Sequence, residues 1–364
     1  MFYNFSIILN KILRSIKMKP LSQKIILLVE QSHSNISRIT NSTIVSTYFI
    51  IGKMIVEEYQ SGNIKASYGK NIMKSLSEEL TIKIGRGYSV DNLENMRKFY
   101  LNYQSQFSIS ETHSRILYLP EISEKLSRKF DTQLLTWSHY VLLSKIKNSE
   151  ERRFYEIESL KNNWNISELK RQFNSALYER LCLSRNQEEV GNLALKGQEI
   201  LNPKDLFKEP FVLEFLNIPK QVDFSENELE KAIISEIQDF MLELGRDFYF
   251  GGRQVRFTFD EDHFFVDLVF FNRILNCFVL IDLKLGKLTH QDLGQMQMYV
   301  NYFDRYEKKE SENPTIGVVL CKSKSQSLVE ITLSENNQQI FAANYLTILP
   351  SKNEFKKILE HYKA

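Results

Sequence analysis

Three consecutive segments between residues 247 and 285 are rich in aromatic and branched apolar residues and are separated by short turns. Their sequences are DFYFGGRQVRFTF, HFFVDLVFF and NCFVLIDLKL, and near-continuous apolar runs of this length are typical of strands covered on both faces. A helical pattern precedes them from Ser225, and a helix capped by Thr289, a strand, a further helix and a further strand follow. This order predicts a mixed α/β sheet flanked by helices.

The first half of the chain has a different periodicity. From about residue 20 to 185, apolar residues recur at three- and four-residue steps, as in Ile44, Tyr48, Ile51 and Ile55, which predicts an all-α domain. Three prolines interrupt the stretch that follows. We therefore divide the chain into a helical domain (20–185), a connector (186–224) and an α/β domain (225–364).

Composition excludes several classes of protein. The three cysteines are far apart and form no CxxC pair, which argues against a disulfide framework and a zinc site and favours a reducing compartment. No window approaches eighteen uninterrupted apolar residues, so we expect no membrane span. The sequence also lacks the phosphate-loop, HExxH and GxSxG motifs, so ATP hydrolysis, zinc proteolysis and esterase chemistry have no support.

Charge is divided unevenly along the chain. Residues 1–185 contain 27 Lys and Arg against 17 Asp and Glu, a net charge of +10, whereas the remainder contains 20 against 28, a net charge of −8. A basic helical domain is the electrostatic signature of a protein that binds a polyanion, but the same charge could serve only as a soluble surface.

A glycine-containing turn, Ile84-Gly85-Arg86-Gly87, separates two short helical patterns, and Ser89 is a natural N-cap for the second. With basic residues on both sides, the segment has the outline of a helix-turn-helix DNA reader. Any helical hairpin would give the same pattern. The candidate DNA-contacting residues are Lys83, Arg86, Arg97 and Lys98.

Two neighbouring strands each carry a carboxylate inside an apolar run. Asp267 interrupts HFFVDLVFF, and Asp282 and Lys284 interrupt CFVLIDLKLG. Because an unpaired buried carboxylate is very costly, such groups are neutralised, paired with a cation or bound to a metal. Side chains alternate along a strand, so Asp282 and Lys284 share a face.

The turn between these strands sets their register. If residues 273–276 form the loop, Asn272 pairs with Cys277 and Asp267 lies opposite Asp282. A divalent cation would relieve the repulsion between the two carboxylates, and their hard oxygens favour Mg²⁺ or Mn²⁺ over zinc. A buried ion pair with Lys284 is the competing structural interpretation. Arg253 and Lys287 lie near this site in sequence and are candidates for phosphate contacts or ordinary surface charges.

The arrangement resembles the PD-(D/E)XK nuclease superfamily: a helix with a Glu, strands bearing Asp267 and Asp282-Leu283-Lys284, and a helix with Gln295 and Tyr299. The YhcG-like branch is the more specific resemblance, and it extends from about residue 25 to the end. Six segments of the α/β domain support it: LEKAIISEIQDFMLELG, GGRQVRF, VDLVFF, LIDLKLG, GQMQMYVNYFD and NPTIGVVLCKS. Three N-terminal segments resemble the helical domain of that branch: YGKNIMKSLSEEL, GRGYSVDNLENMRKFY and TWSHY.

The resemblance implies a restriction-endonuclease-like fold and a role for each matched residue. Asp267 would be the central metal-binding Asp, and Asp282 and Lys284 would be the (D/E)xK pair, with Asp where close relatives often have Glu. Glu230 matches an acidic position that assists metal binding or the ordering of water, and Glu236 is the second choice.

Gln295 and Tyr299 match a Q-x-x-x-Y element that orients the substrate or the Lys. They could equally be two polar positions of an amphipathic helix.

These observations predict a Mg²⁺-dependent DNA endonuclease, with Mn²⁺ as a possible substitute, in which a carboxylate-held metal clamps the scissile phosphate and Lys284 stabilises developing charge. The expected partner is double-stranded DNA. The resemblance also suggests a bacterial cytoplasmic setting. It further suggests a homodimer, because cutting both strands usually takes two sites. A non-catalytic nucleic-acid-binding scaffold with a nuclease fold and an RNA-directed nuclease are the alternatives.

Overall fold

A computed structural model of the 364-residue chain describes residues 21–61, 66–105, 134–183, 185, 187–218, 224–259 and 261–361. The N-terminal segment 1–20 lies outside the described residues. The chain divides into two compact units, Met1–Ser149 and Glu150–Ala364. Each unit is described separately.

The first unit is helical, as the sequence predicted. Its described helices are α1 (Leu21–Ser61), α2 (Ala66–Lys83), α3 (Val90–Tyr103) and α4 (Trp137–Leu143). Helix α1 crosses α3 closely at Gly52, where an added Cβ atom would lie 2.1 Å from the backbone oxygen of Met96. An aromatic cluster centred on Phe99 joins α1, α3 and α4, with Tyr140 in van der Waals contact at a ring-centroid distance of 4.7 Å.

The N-terminal half of α1 exposes its apolar stripe, including Ile25, Ile26 and Val29. The segment Ile25–Tyr59 is long and apolar enough to cross a membrane by length and composition alone, with a mean hydropathy of 1.3 over 18 residues. Core helices of soluble proteins meet the same criterion, and 28% of that window is buried. The expectation that the chain has no membrane segment therefore stays a prediction.

The predicted helical hairpin is present between α2 and α3. The turn contains Gly85 and Gly87, both with positive φ angles (112° and 116°) that favour glycine. Ser89 caps α3 as expected, because its side chain accepts a hydrogen bond from the backbone N–H of Asn92. Leu93 and Met96 of α3 pack against α1 and α2 in one apolar cluster.

The second unit begins with four helices and ends in an α/β domain. The helices are α5 (Ser149–Lys161), α6 (Ile166–Asn174), α7 (Leu177–Leu183) and α8 (Gln187–Lys196), followed by 3₁₀ turns at Pro203–Leu206 and Glu214–Leu216. Two further helices, α9 (Glu226–Ser235) and α10 (Ile237–Leu244), occupy the stretch that the sequence predicted as one helix. Glu236 interrupts it with φ −113° and ψ 35°.

A six-stranded mixed sheet forms the centre of the second unit. Its strands are β1 (Phe211–Val212), β2 (Phe248–Phe259), β3 (Asp262–Asn272), β4 (Cys277–Lys287), β5 (Ile316–Ser323) and β6 (Ile340–Leu346), in the spatial order β1-β6-β5-β4-β3-β2. Strands β2, β3 and β4 are antiparallel, whereas β4, β5, β6 and β1 are parallel. The remaining helices are α11 (His290–Tyr302), α12 (Gln326–Thr332) and α13 (Lys352–His361).

Both faces of the sheet are covered by helices. Helices α9 and α10 bury Leu229, Ile233 and Phe240 against one face, and α11 buries Met296 and Val300 against the other. Coverage of both faces explains why the strand sequences are continuous apolar runs and do not alternate between apolar and polar residues. The predicted mixed sheet flanked by helices is confirmed.

The stretch predicted as a connector contributes to the sheet. Phe211 and Val212 pair in parallel with Tyr345 and Leu346 of β6 and form the edge strand β1. A two-residue strand is too short for any periodicity to reveal, so the sequence predicted only a linker at this point. The boundary of the helical domain at residue 185 stays a prediction. The division between the two compact units falls after Ser149.

A buried charge cluster explains why α6 and α7 belong with the second unit. The fully buried Glu243 of α10 lies 2.6 Å from Arg180 Nη1 and 3.2 Å from Arg171 Nη2. Its Oε1 atom also accepts a hydrogen bond from the backbone N–H of Val212 in β1. Arg180 and Lys208 place positive charge around Glu243 and hold its pKa at about 2 against the opposing effect of burial. We call these residues the Glu243 cluster.

The close approach at Gly52 generates a test of the first unit. Gly52→Ala should lower the free energy of unfolding by about 1–3 kcal/mol, because overpacking against the α3 backbone outweighs the gain in helix propensity. The control is Gly191→Ala in α8, where an added Cβ meets nothing within 4 Å and should stabilise by about 0.5–1 kcal/mol. Denaturant unfolding followed by circular dichroism measures both, and equal effects of the two changes would refute the close packing.

Candidate active site

Strands β3 and β4 separate at Asp267. The predicted register is confirmed from Asn272 paired with Cys277 to Leu268 paired with Ile281, where the backbone pairing ends. The sequence placed Asp267 directly opposite Asp282 in the next pair. Instead, the Asp267 carboxylate reaches across the gap, and its Oδ2 atom accepts a hydrogen bond from the backbone N–H of Leu283 at 2.8 Å.

Asp282 is buried and pairs with Lys284. Its side chain is on the same face of β4 as that of Lys284, and Asp282 Oδ2 lies 3.0 Å from Lys284 Nζ. Asp282 is 3% exposed. On its other edge, β4 stays paired in parallel with β5 at Asp282 and Lys284. Glu226 at the start of α9 lies near the same ammonium group, with Oε2 3.9 Å from Nζ.

Burial dominates the electrostatics of Asp282. It raises the pKa of this carboxyl to about 7, assisted by the negative charge of Asp267 and opposed by Lys284. Burial on its own would lower the pKa of Lys284, but its ion pair with Asp282 raises it above its ordinary value. The amine therefore stays protonated at neutral pH.

Gln254 connects two of the predicted acidic residues. Its Nε2 atom donates hydrogen bonds to Asp267 Oδ1 at 2.9 Å and to Glu230 Oε2 at 2.5 Å. Gln254 has a positive φ of 46° and lies opposite Asp267 between two paired positions of the β2–β3 ladder. Glu230, on α9, is buried. The amide nitrogen thus occupies the space between the carboxylates of Asp267 and Glu230.

The two polar residues of α11 contact each other. Gln295 Nε2 donates a hydrogen bond of 2.5 Å to the hydroxyl of Tyr299, which is buried. Burial raises the pKa of Tyr299 to about 12, and the nearby charge of Asp282 adds to this effect. Tyr299 therefore stays neutral and lies on the side of the sheet that Asp282 faces.

The sequence missed two residues of this site. Gln254 could have been found by the register argument used for β3 and β4, because the β2–β3 hairpin turn also sets Gln254 against Asp267. Nothing in the sequence marks Glu226 as a site residue except its position in the first turn of a helix. Glu236, the second choice for the acidic residue, is exposed at the junction between α9 and α10, away from the contacts made by Glu230.

The described residues contain no group of three or more His, Cys, Asp or Glu side chains positioned to hold a metal ion. Two carboxylates are present, and Asp282 Oδ2 is a buried oxygen without a hydrogen bond of good geometry. Mg²⁺ is commonly bound by one or two carboxylates with water completing its shell. The donor set of Asp267 and Asp282 therefore fits a hard divalent cation without a third acidic ligand.

The predicted nucleic-acid contacts differ in their surroundings. Arg97 is held by Glu94 through two hydrogen bonds of 2.7 and 2.8 Å, and Lys83 pairs with Glu79. Lys98 lies 3.8 Å from Glu94. Arg86, Arg253 and Lys287 are exposed, and none has a carboxylate within salt-bridge distance in the described part of the chain. Their contact with nucleic acid stays a prediction.

Comparison with known families gives two matches. The model of the YhcG PDDEXK nuclease domain matches residues 204–360, and that of the DUF1016 N-terminal domain matches residues 24–180. Residues 204–360, which carry Asp267 and the Asp282-Leu283-Lys284 motif where β3 and β4 separate, thus form a nuclease domain of the PDDEXK superfamily.

The similarity extends over nearly the whole chain. The Escherichia coli (strain K12) protein "Putative nuclease YhcG" is 37% identical over 352 residues, which cover 93% of each chain. The chain therefore belongs to the YhcG family, as its sequence indicated.

Two solved structures have weaker similarity. A repair endonuclease from Pyrococcus abyssi aligns with a TM-score of 0.24 and 16% identity, over 35% of this chain and 49% of that one. A complex of EndoMS with double-stranded DNA aligns with a TM-score of 0.24 and 15% identity, over 37% and 50%. The chain thus spans about half the length of either structure.

The raised pKa of Asp282 predicts how this site affects stability. The ordinary pKa is 3.8 and the folded-state pKa is about 7, so ionisation at higher pH opposes folding. In EDTA, Asp282→Asn should have a higher melting temperature than the wild type near pH 8, and the difference should shrink near pH 5, where the folded carboxyl is protonated. The exposed Asp262→Asn is the control, and a variant less stable than the wild type at pH 8 would contradict the prediction.

Proposed function

We propose that this chain is a metal-dependent endonuclease that hydrolyses phosphodiester bonds in DNA. The observation that carries the proposal is the meeting of Asp267, Asp282 and Lys284 where β3 and β4 separate. Membership of a nuclease family supports the reaction class. The name of one structural neighbour includes double-stranded DNA, but its low TM-score lends that substrate no weight.

Asp267 and Asp282 would hold Mg²⁺, with Mn²⁺ as a substitute. When bound, the cation would polarise the scissile phosphate and lower the pKa of the attacking water. Asp282 is suited to this role because burial and the neighbouring Asp267 make its negative charge unfavourable even with Lys284 beside it. The same unfavourable charge is relieved by a bound cation.

Lys284 supplies the fixed positive charge of the site. Its ammonium group, held 3.0 Å from Asp282 Oδ2, would stabilise negative charge that develops on the phosphate. Glu230 and Gln254 position Asp267: the amide fixes Oδ1 while the Leu283 N–H fixes Oδ2. We assign Glu230 to positioning through Gln254 rather than to direct metal binding.

Gln295 and Tyr299 would orient the substrate from the opposite side of the site. The Tyr299 hydroxyl accepts a hydrogen bond from Gln295, and its raised pKa keeps its own proton available for donation. This proton could reach an oxygen of Asp282 or of the phosphate.

We also infer that the helical domain binds DNA through the α2–α3 hairpin and that two copies of the chain cut the two strands.

Cleavage is tested with plasmid DNA in Mg²⁺, in Mn²⁺ and in EDTA. The wild type should cut in either metal and not in EDTA, whereas Asp267→Asn and Lys284→Met should each reduce the rate by about 10²-fold or more. The control is Asp262→Asn, an exposed carboxylate at the start of the same strand, which should cut at the wild-type rate.

Metal binding is measured separately from cleavage, by the melting temperature of the protein. Mg²⁺ should raise the melting temperature of the wild type and not that of Asp267→Asn. If DNA is bound but never cut in any metal, the scaffold function replaces the nuclease. If only a structured RNA is cut, the substrate assignment fails while the hydrolytic site stands.

The role of the helical domain generates a separate prediction. Arg86→Ala should weaken DNA binding to a similar degree for all sequences and reduce the slope of log affinity against log salt by about one. Lys145→Ala, at an exposed position of the same unit outside the hairpin, is the matched control and should leave the slope unchanged. Fluorescence anisotropy over a salt series measures both, and identical slopes for Arg86→Ala and the wild type would exclude this contact.

A further inference from the structure

A cavity of about 350 Å³ lies beside the candidate site in the second unit, between the outer end of β2 and helix α11. Its volume is in the range of small-molecule sites in proteins. Aromatic side chains form much of its wall, and amide groups and one guanidinium line the rest. We call it the aromatic cavity.

Four aromatic rings line this cavity. Phe257 stacks on Tyr302 with ring centroids 4.1 Å apart and an interplanar angle of 22°, and Tyr302 contacts Tyr306 at 5.1 Å. Phe259 is 54% exposed and Tyr306 is 62% exposed, although both are large apolar side chains. Exposed rings in a concave site offer faces on which another planar ring can stack.

The turn after α11 brings Tyr306 and Arg305 to the cavity. Residues Phe303–Glu307 form a π-helical turn, closed by the hydrogen bond from the Lys308 N–H to the Phe303 carbonyl. π-helical turns are rare and occur frequently at functional sites. Arg305 is exposed and has no carboxylate partner among the residues that the structure describes.

Polar groups on α11 complete the cavity. Gln297 Nε2 donates a hydrogen bond to Asn301 Oδ1 at 3.2 Å. This contact leaves Gln297 Oε1 and Asn301 Nδ2 as an acceptor and a donor with no hydrogen bond to the described residues. An acceptor and a donor beside aromatic rings match the edge of a nucleobase.

One wall of the cavity contacts a residue of the candidate active site. The ring of Phe257 packs against Tyr299 at a centroid distance of 5.6 Å. Phe257 also follows Gln254 by three residues on β2, about 10 Å along an extended strand. Gln295 and Tyr299 lie on the same helix as the cavity residues Gln297 and Asn301. A strand bound with its phosphate at Asp267 could therefore place a nearby base in the cavity.

We propose that the aromatic cavity binds an unpaired nucleobase of the substrate, stacked on Phe259 and Tyr306, with Arg305 contacting the adjacent phosphate. This inference rests on the proposed nuclease function and specifies its substrate: a strand with at least one extruded or single-stranded nucleotide near the cut. DNA and RNA share this chemistry, so both are tested.

Gly294 offers a way to close the cavity. It lines the cavity in the middle of α11, and an added Cβ atom would meet nothing within 4 Å. Gly294→Met should therefore fill the space without disturbing the core, and Gly294→Ala is the matched control that leaves most of it open. Phe259→Ala removes a wall of the cavity, and Phe259→Tyr should restore stacking.

The experiment uses oligonucleotide duplexes with a single-stranded overhang that carries 2-aminopurine, in DNA and RNA forms, with the full-length protein in EDTA. The fluorescence of 2-aminopurine should fall on binding to the wild type and to Gly294→Ala, because the base stacks. With Gly294→Met and Phe259→Ala the quenching should be lost, and affinity for the overhang should weaken by roughly tenfold. Affinity for a blunt duplex should not change.

Two results would overturn the inference: no quenching by the wild type at any overhang position in either nucleic acid, or equal quenching by the wild type, Gly294→Met and Phe259→Ala. Circular dichroism establishes that each variant is folded. Plasmid cleavage, measured in parallel, separates the two proposals. If the wild type cuts and no base stacks, only the cavity assignment fails, whereas stacking without cutting retains the cavity and removes the nuclease.

Discussion

The hydrogen bond from the Leu283 N–H to the Asp267 carboxylate is the interaction on which the candidate site depends. It takes the place of the next backbone pair that β3 and β4 would otherwise form, and the β3–β4 ladder ends there. Because the ladder has ended, Asp282 has no backbone partner in β3, and its side chain lies buried beside Lys284. A sheet that continued its pairing through this point would have no space for a phosphate or a cation between the carboxylates.

Much of the fold follows from the sequence, because the strands are long apolar runs and the helices have clear periodicity. The register of β3 and β4 was predicted to the residue from the turn at 273–276, and Ser89 and Thr289 cap helices as expected. The end of the ladder before Asp267 was not predicted, since it depends on a side chain that replaces a backbone partner. Sequence patterns carry no signal for such a contact.

The residues that surround the core motif were harder to identify. Asp267, Asp282 and Lys284 stand out because charges inside apolar runs are unusual, whereas Gln254 and Glu226 are polar residues in exposed surroundings. Gln254 matters only because its left-handed backbone conformation and its position opposite Asp267 direct its amide between two carboxylates. Glu230 is buried and contacts Gln254, whereas Glu236 is exposed, and the role of Glu230 at the site stays a prediction.

The Glu243 cluster has a consequence for how this protein can be divided. The family model of the N-terminal domain ends at residue 180, yet Arg171 and Arg180 neutralise a carboxylate within the nuclease domain. A polypeptide that starts at residue 186 would retain Glu243 and lose both guanidinium groups, and removing one partner of such a buried pair typically costs about 3–5 kcal/mol. A chain divided at this border would therefore carry a buried carboxylate without its guanidinium partners, and supplying the missing helices in trans should recover the lost stability.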